Sequence, residues 1–545
     1  MASGWADVGG PGTRRRADPA RRTAYDVLRA VAQRDAYANL LLPALLAERG
    51  LAGRDAALAT ELTYGTLRGQ GSYDAVLDVC SDRPVGRMDP AVREVLRLGA
   101  HQLLATRIPP HAAVAASVDL AKDVAGARPA GFVNAVLRQV ATRGLADWLA
   151  IVAPEPADDP VGHLAVMHSH PRWVVAALSD ALGEQADGPL TETEELLAAD
   201  NSRPGVTLLA KPGRMVPGEL LAAGATPARW SPYGAYLREG NPADVPAVAD
   251  GRAAVQDEAS QLAAVALARV PVAGQDRRWL DMCSGPGGKA SLLFGIAVGR
   301  GARLLAADLQ PHRAALTRAA MGGRTTGRTT GGAAARGVAG AGGAGRIVVA
   351  DGTSPPWRHG TFDRVLADVP CSGLGALRRR PEARWRRRPR DVAGFGPLQR
   401  RLLATALASV RPGGVVAYVT CSPHLDETGR VVGDVIAAMA ATVGVSVLDA
   451  PAVLAGVPAV GAPGLAAEGL RCPPDEAGLT GATDLGPGAL RPAGPGRGAP
   501  GLVAHGPAAS GHSAPRAGVP GGYAQFWPHR HGTDAIFLAL LRRDT

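Results

Sequence analysis

The sequence predicts a multidomain chain. It has an all-α N-terminal domain, a small α+β module, and a C-terminal α/β domain on a mainly parallel sheet. Three observations carry this. Apolar residues from Arg21 to Gly144 recur at helical spacing with no strand pattern. From about Ala253, strand-like and helix-like stretches alternate. At 545 residues, the chain is also too long for one core to organise.

In the first domain, Ala24, Val27, Leu28 and Val31 fall at i, i+3, i+4 and i+7. Asp89-Pro90 joins a capping carboxylate to a proline in the first turn, a helix start. Val92, Val95, Leu96, Gly99 and Leu103 then share one face. Pro109-Pro110 interrupts the pattern, and Ala113 to Leu120 resumes it. The all-α domain is therefore placed at 21–150, behind a disordered leader at 1–20. In 151–250, Pro171–Leu178 reads as a helix opening at proline and Val206–Ala210 as a strand.

From 251 to 545, strands are predicted at Arg278–Asp281, Ala302–Asp308, Arg346–Asp351, Arg364–Val369 and Val415–Thr420. A helix at Leu398–Val410 precedes an Arg411-Pro412-Gly413-Gly414 turn, and Ala535–Leu541 reads as the last strand. Such alternation implies parallel strands with helices on both faces. Two stretches, about 322–345 and 450–522, are dominated by small residues and proline. They offer too little apolar surface to offset their ordering entropy, so both are expected to be disordered insertions.

The net charge of +10 and the isoelectric point near 9.8 suit a polyanionic partner. The charge is uneven: Arg378 to Arg390 holds eight arginines and one glutamate. Lysine is rare, at positions 122, 211 and 289 only. The five cysteines are odd in number and widely spaced, which argues against a disulfide framework and for a reducing compartment. No stretch of about 18 uncharged apolar residues is present. Arg14-Arg15-Arg16 is followed by Ala17-Asp18-Pro19 rather than an apolar run. The expected location is the cytoplasm.

Candidate chemistry collects at the ends of the predicted strands. Asp281-Met282-Cys283-Ser284-Gly285-Pro286-Gly287-Gly288-Lys289 follows a strand and opens a helix. Glycines there let a ligand approach the backbone, and the helix start offers free N–H groups. Taken alone, it is also what an ordinary tight turn looks like. It is not a P-loop, because position 283 is Cys and position 290 is Ala. Asp308 and Asp351 end the next two strands, where carboxylates accept hydrogen bonds from ribose and base, although lone aspartates there are commonly loop caps. Cys371 ends the fourth strand in Asp368-Val369-Pro370-Cys371, and Cys421 the fifth in Thr420-Cys421-Ser422. A free cysteine is usually a small buried hydrophobe, but both lie at the edge where open α/β sheets place their sites. His424 has no Cys/His partners at zinc spacing, so no metal is expected. Arg378, Arg379, Arg380, Arg384 and Trp385 read either as a solvated face or as an RNA contact.

At these residues the chain closely resembles the bacterial ribosomal RNA cytosine-C5 methyltransferases of the Sun/Fmu (RsmB) type. Its N-terminal domain is similar to the antitermination factor NusB. The motifs are Gln256-Asp257-Glu258-Ala259-Ser260-Gln261, the turn at 281–289, Asp308, Asp351, Asp368 to Gly373, Arg378 to Trp385, Thr420-Cys421-Ser422 and Gly532 to Phe537. The resemblance implies a Rossmann-like class I methyltransferase domain that uses S-adenosylmethionine, with small-subunit ribosomal RNA as partner. It implies Cys421 as nucleophile at C6 of the pyrimidine and Cys371 in product release. Asp368 would contact the cytosine edge, with Lys289 near donor and base. The turn, Asp281 and Cys283 to Lys289, would cradle the donor together with Asp368, while Asp308 holds its ribose and Asp351 its adenine. Val369, Ser284-Gly285 and Ala535-Ile536 depart from the usual family residues without touching the reactive atoms. The same chemistry on another RNA, and a non-catalytic RNA-binding assembly factor, are the competing readings.

Overall fold

The structure is a computed structural model that describes residues 17–185, 188–322, 345–458, 465–472 and 522–545. The N-terminal domain runs through α1 (Pro19–Arg34), α2 (Ala38–Glu48), α3 (Gly53–Val79), α4 (Pro90–Ala105), α5 (Pro110–Ala125), α6 (Ala130–Val140) and α7 (Leu145–Val152). Asp18 caps α1 by accepting Arg21 N at 3.0 Å, so the last residues of the expected leader are ordered. Residues 1–16 lie outside the described residues. The start read at Asp89-Pro90 is present, with Asp89 accepting Ala91 N at 2.7 Å. Leu28, Leu62, Leu77, Leu96 and Leu137 join α1, α3, α4 and α6 in one core.

The middle module has two parts. Helices α8 (Pro160–Met167), α9 (Arg172–Leu182) and α10 (Thr191–Asn201) pack with Leu374, Leu377 and Trp527 of the C-terminal domain. An antiparallel sheet follows, from β1 (Val206–Ala210), β2 (Thr226–Pro227), β3 (Gly234–Leu237) and β4 (Ala253–Val255), in the order β2-β3-β1-β4. Short helices α11 (Pro217–Ala222) and α12 (Pro246–Ala249) connect these strands.

The C-terminal domain begins with α13 (Glu258–Arg269). It continues as β5 (Arg278–Asp281), α14 (Gly288–Gly299), β6 (Arg303–Asp308), α15 (Pro311–Ala320), β7 (Gly345–Val349) and β8 (Phe362–Asp368). After α16 (Ala383–Arg386) and α17 (Pro389–Ser409) come β9 (Val410–Thr420), α18 (Gly429–Met439), β10 (Val445–Leu448) and α19 (Ala450–Ala455). The chain closes with β11 (Ala524–Gln525), α20 (Pro528–His531) and β12 (Phe537–Arg543). The sheet order is β10-β12-β9-β8-β5-β6-β7, with β11 beside β12. Strands β5 to β9 are parallel, and β12 is antiparallel to β9. The crossover leaves β5 between β6 and β8, a switch point that opens a crevice at the carboxyl edge.

Two expected boundaries need correction. The second insertion does not begin at 450: Ala450 and Leu454 of α19 are fully buried in the core that holds α13, and Leu465 and Leu470 join them. Scattered apolar residues in a glycine-rich stretch suffice when a core face is waiting for them. Most of both insertions, at 323–344, 459–464 and 473–521, lies outside the described residues. The turn at 411–414 lies within β9 as an irregularity between the pairs Phe362↔Val410 and Arg364↔Val415. No helix of the described residues is long and apolar enough to cross a membrane.

Candidate active site

The strands deliver Asp281, Asp308, Asp368, Cys371 and Cys421 to one edge of the sheet, because each lies at or just past a parallel strand's carboxyl end. Cys371 and Cys421 meet there, with their Sγ atoms 3.2 Å apart. Lys289, in the first turn of α14, donates to Asp368 Oδ2 at 2.9 Å. Burial works against the Lys289 ammonium, but the Asp368 carboxylate outweighs it and raises the group above its ordinary value.

The two thiols are held differently. Hydrogen bonding with Cys371 lowers the Cys421 thiol; burial and Asp368 oppose this, and Lys289 assists it. The Cys371 thiol is pushed well up, first by the hydrogen bond with Cys421 and then by burial. The contact between the sulfurs leaves either free to be the donor, and the Lys289 charge acts on Cys421.

The turn after β5 is closed by its own contacts. Asp308 Oδ2 accepts Gly285 N at 2.9 Å, and Ser284 N donates to Ala307 O at 2.8 Å. Gly287 has φ +108°, and a methyl group there would lie 2.6 Å from Ala320 Cβ. Pro286 and Gly288 complete the turn, with Gly288 opening α14. Asp281 is fully buried and neither carboxylate oxygen has a hydrogen-bond partner. Burial, then the Asp368 charge, push it well above the usual carboxylate range. Cys283 is a packing residue whose thiol burial pushes well up. Asp351 lies just past β7, where it accepts Thr353 N and Oγ1 at 2.8 Å each and is held below the usual range by those bonds.

Comparison with known proteins identifies the family. Residues 18–142 match the NusB family, and residues 335–450 match the 16S rRNA methyltransferase RsmB/F model. A putative methyltransferase of Mycobacterium tuberculosis, Rv1407, is 45% identical over 533 residues, 98% of each chain. The probable ribosomal RNA small subunit methyltransferase B of Bacillus subtilis is 30% identical, over 76% of this chain and 87% of its own. The chain belongs to the RsmB/F family of rRNA methyltransferases. The crystal structure of PH0851 shares the fold, with a TM-score of 0.66 at 19% identity over 96% of this chain and 98% of its own.

In this RsmB/F-family chain the arginine run is not the free face that the sequence suggested. Arg384 has no exposed surface, and its Nη1 donates to Ser169 O at 3.0 Å and Asn201 Oδ1 at 2.8 Å. Its expected role as an RNA contact is corrected: the guanidinium is buried where the domains meet. Trp385 packs on α3, where a methyl group on Gly71 would sit 2.4 Å from its ring. Arg378 is nearly buried and donates to Gly532 O at 2.7 Å, and Arg379 Nε pairs with both oxygens of buried Asp534. Arg380 remains exposed, its guanidinium 5.6 Å from the Tyr37 ring. Charge counting could not distinguish a buried fork from a solvated one.

Sequence reading also missed Glu427 and Gln399, and the bonding roles of Asp257 and Asp534. Asp257 Oδ2 accepts Asp534 N at 3.1 Å and lies in a motif that was noted without a role. Glu427, six residues after Cys421, carried no signal of its own.

Proposed function

We propose that the protein methylates C5 of a cytosine in small-subunit ribosomal RNA through a transient bond between Cys421 Sγ and C6 of the base, with S-adenosylmethionine as donor. The observation that carries this reading is the pair of thiols 3.2 Å apart beside the Lys289–Asp368 ion pair. The net charge of +10 and the names of the RsmB relatives support RNA as substrate.

The residues present suit the donor. Asp281 offers a buried carboxylate without a partner, which an ammonium would neutralise. Gln256 is nearly buried, both its side-chain heteroatoms lack partners, and it lies against Gly288. Asp281 would hold the donor's amino group, Asp308 its ribose and Asp351 its adenine. When bound, S-adenosylmethionine supplies an electrophilic methyl group for C5.

A pyrimidine C5 is a poor nucleophile until a thiolate adds at C6. Cys421 forms the Sγ–C6 bond, and the electron pair of C5=C6 moves onto C5 while Asp368 supports a proton at N3. After C5 has gained its methyl group, a base removes the C5 proton. That electron pair re-forms C5=C6 as the Sγ–C6 bond breaks, and Cys371 assists the departure. Lys289 holds Asp368 against the base. The target cytosine must be unstacked to reach this edge.

The test uses two variants on unmodified small-subunit RNA. Cys421→Ala should abolish turnover, whereas Cys371→Ala should accumulate a covalent protein–RNA adduct visible on a denaturing gel. Full activity in Cys421→Ala refutes the reading, and an adduct that forms only when Cys421 is removed reverses the two roles.

A further inference from the structure

Behind the two thiols lies a buried acid that the steps above do not use. Glu427 has no exposed surface. Its Oε1 accepts Ser372 N at 2.8 Å and Gln399 Nε2 at 3.1 Å, and its Oε2 accepts the Ser372 hydroxyl. Gln399 Nε2 also donates to Pro370 O at 2.9 Å. One carboxylate and its amide partner thereby fix the residues on both sides of Cys371. Ser372 Oγ is in turn 3.0 Å from Ser422 Oγ, and Ser422 follows Cys421. The network reaches the backbone of both cysteines.

Its direct partners are all neutral. A buried charge held by neutral donors costs free energy that an apolar filler would not.

We propose that Glu427 is a positioning residue for the thiol pair: its carboxylate fixes the Cys371 loop, and its negative charge keeps the proton on Cys371, so that Cys421 becomes the thiolate. This rests on the reading of Cys421 as nucleophile. The surrounding charges are distributed to the same effect. Lys289 and Arg379 act on Cys421, opposed there by Asp368 and Asp534. On the other side, Cys371 is raised by its bond to Cys421, by burial, and then by the charges of Cys421 and Glu427. The buried Tyr418 hydroxyl donates to Glu427 O at 2.9 Å, and Arg387 Nε approaches from the Cys371 side to donate to Ser372 O at 3.0 Å. Without Glu427, two sulfurs 3.2 Å apart would compete for one proton on more equal terms.

The experiment is iodoacetamide labelling of the full chain across pH 6 to 9.5, with each cysteine followed by peptide mass spectrometry. In the parent, Cys421 should label about tenfold or more faster than Cys371 near neutral pH, because only thiolate reacts. Glu427→Gln should shrink that ratio about tenfold and move Cys371 labelling to lower pH, and Glu427→Asp should restore most of it. A folded Glu427→Gln protein with the parent's ratio and pH profile overturns the proposal, as does Glu427→Asp behaving like Glu427→Gln. Ser372→Ala keeps the carboxylate and removes one hydroxyl, so it decides the matter even if Glu427→Gln does not fold. Retention of the parent's ratio supports the charge, and equal labelling of the two thiols overturns it. No RNA or donor enters this assay, so its failure leaves the Cys421→Ala test of the reaction untouched.

Discussion

Replacing Asp200 by asparagine should stabilise the folded chain above pH 7. Asp200 lies in the last turn of α10 at the junction of the three domains, is 2% exposed, and its Oδ1 has no partner. Its Oδ2 is 3.9 Å from His170 Nε2. Burial pushes the carboxyl from 3.8 to about 7, against the attraction of Arg384. The folded-state value therefore lies above the unfolded one. Between about pH 4 and pH 7 the folded chain keeps a proton that the unfolded chain releases, so stability falls as pH rises through that window and is level above it. The full gap corresponds to about 4 kcal/mol of order-of-magnitude cost at pH 8. An amide is neutral at every pH and leaves the Arg384 bonds to Ser169 O and Asn201 in place. Asp200→Asn should recover about 2–4 kcal/mol at pH 8, and about 2–3 kcal/mol less than that at pH 5. Burial and Arg384 hold His170 well below 6.5, so it carries no proton to the difference between pH 5 and pH 8. Calorimetric melting of both proteins at pH 5 and pH 8 measures it. A variant no more stable than the parent at pH 8, or an advantage equal at both pH values, refutes the argument.

Asp281→Asn should trade binding for stability. Removing a buried carboxylate without a partner should raise the melting temperature of the free chain at pH 8 while weakening S-adenosylmethionine by about tenfold or more in a titration calorimeter, because a charge-assisted bond is lost. Unchanged affinity would remove Asp281 from the donor site. Gly375→Ala should cost about 100-fold in kcat with the chain still folded: the added methyl would lie 1.9 Å from Ala535 O and 2.9 Å from Cys421 O, both backbone atoms that must move. Parent-like single-turnover rates would show that the strand ends tolerate the shift.

Much of the sheet was legible because most of its parallel strands are apolar runs ending in a polar residue. That pattern placed β5, β6, β8 and the edge that gathers Asp281, Asp308, Asp368, Cys371 and Cys421. The middle sheet was mostly invisible, since β2 and β4 span two and three residues, too few to display a period of two. Glu427 was illegible for a different reason. Its meaning comes from Ser372, 55 residues earlier in the chain, and local sequence does not encode that approach. The insertion limit at 450 failed because composition averages over a window, while burial is decided residue by residue at Ala450 and Leu454.

The arginine run carries a more general lesson about reading charge. Five of its eight arginines donate to named partners within the chain: Arg378 to Gly532 O, Arg379 to Asp534, Arg384 to Ser169 O, Arg386 to Ala36 O and Arg387 to Ser372 O. Four of these acceptors are backbone carbonyls. A guanidinium presents five donors in a fixed plane, spread over three nitrogens, and keeps its charge at any ordinary pH, so it can bridge carbonyls from separate segments, whereas lysine's three donors all radiate from one atom. Every residue supplies a carbonyl, so such a bridge needs no acidic partner and leaves the local charge count unbalanced. The excess of +7 between Arg378 and Arg390 therefore overstates the charge available to a polyanion. An RNA surface on this protein has to be sought among arginines whose planes face solvent, beginning with Arg380, Arg388 and Arg390.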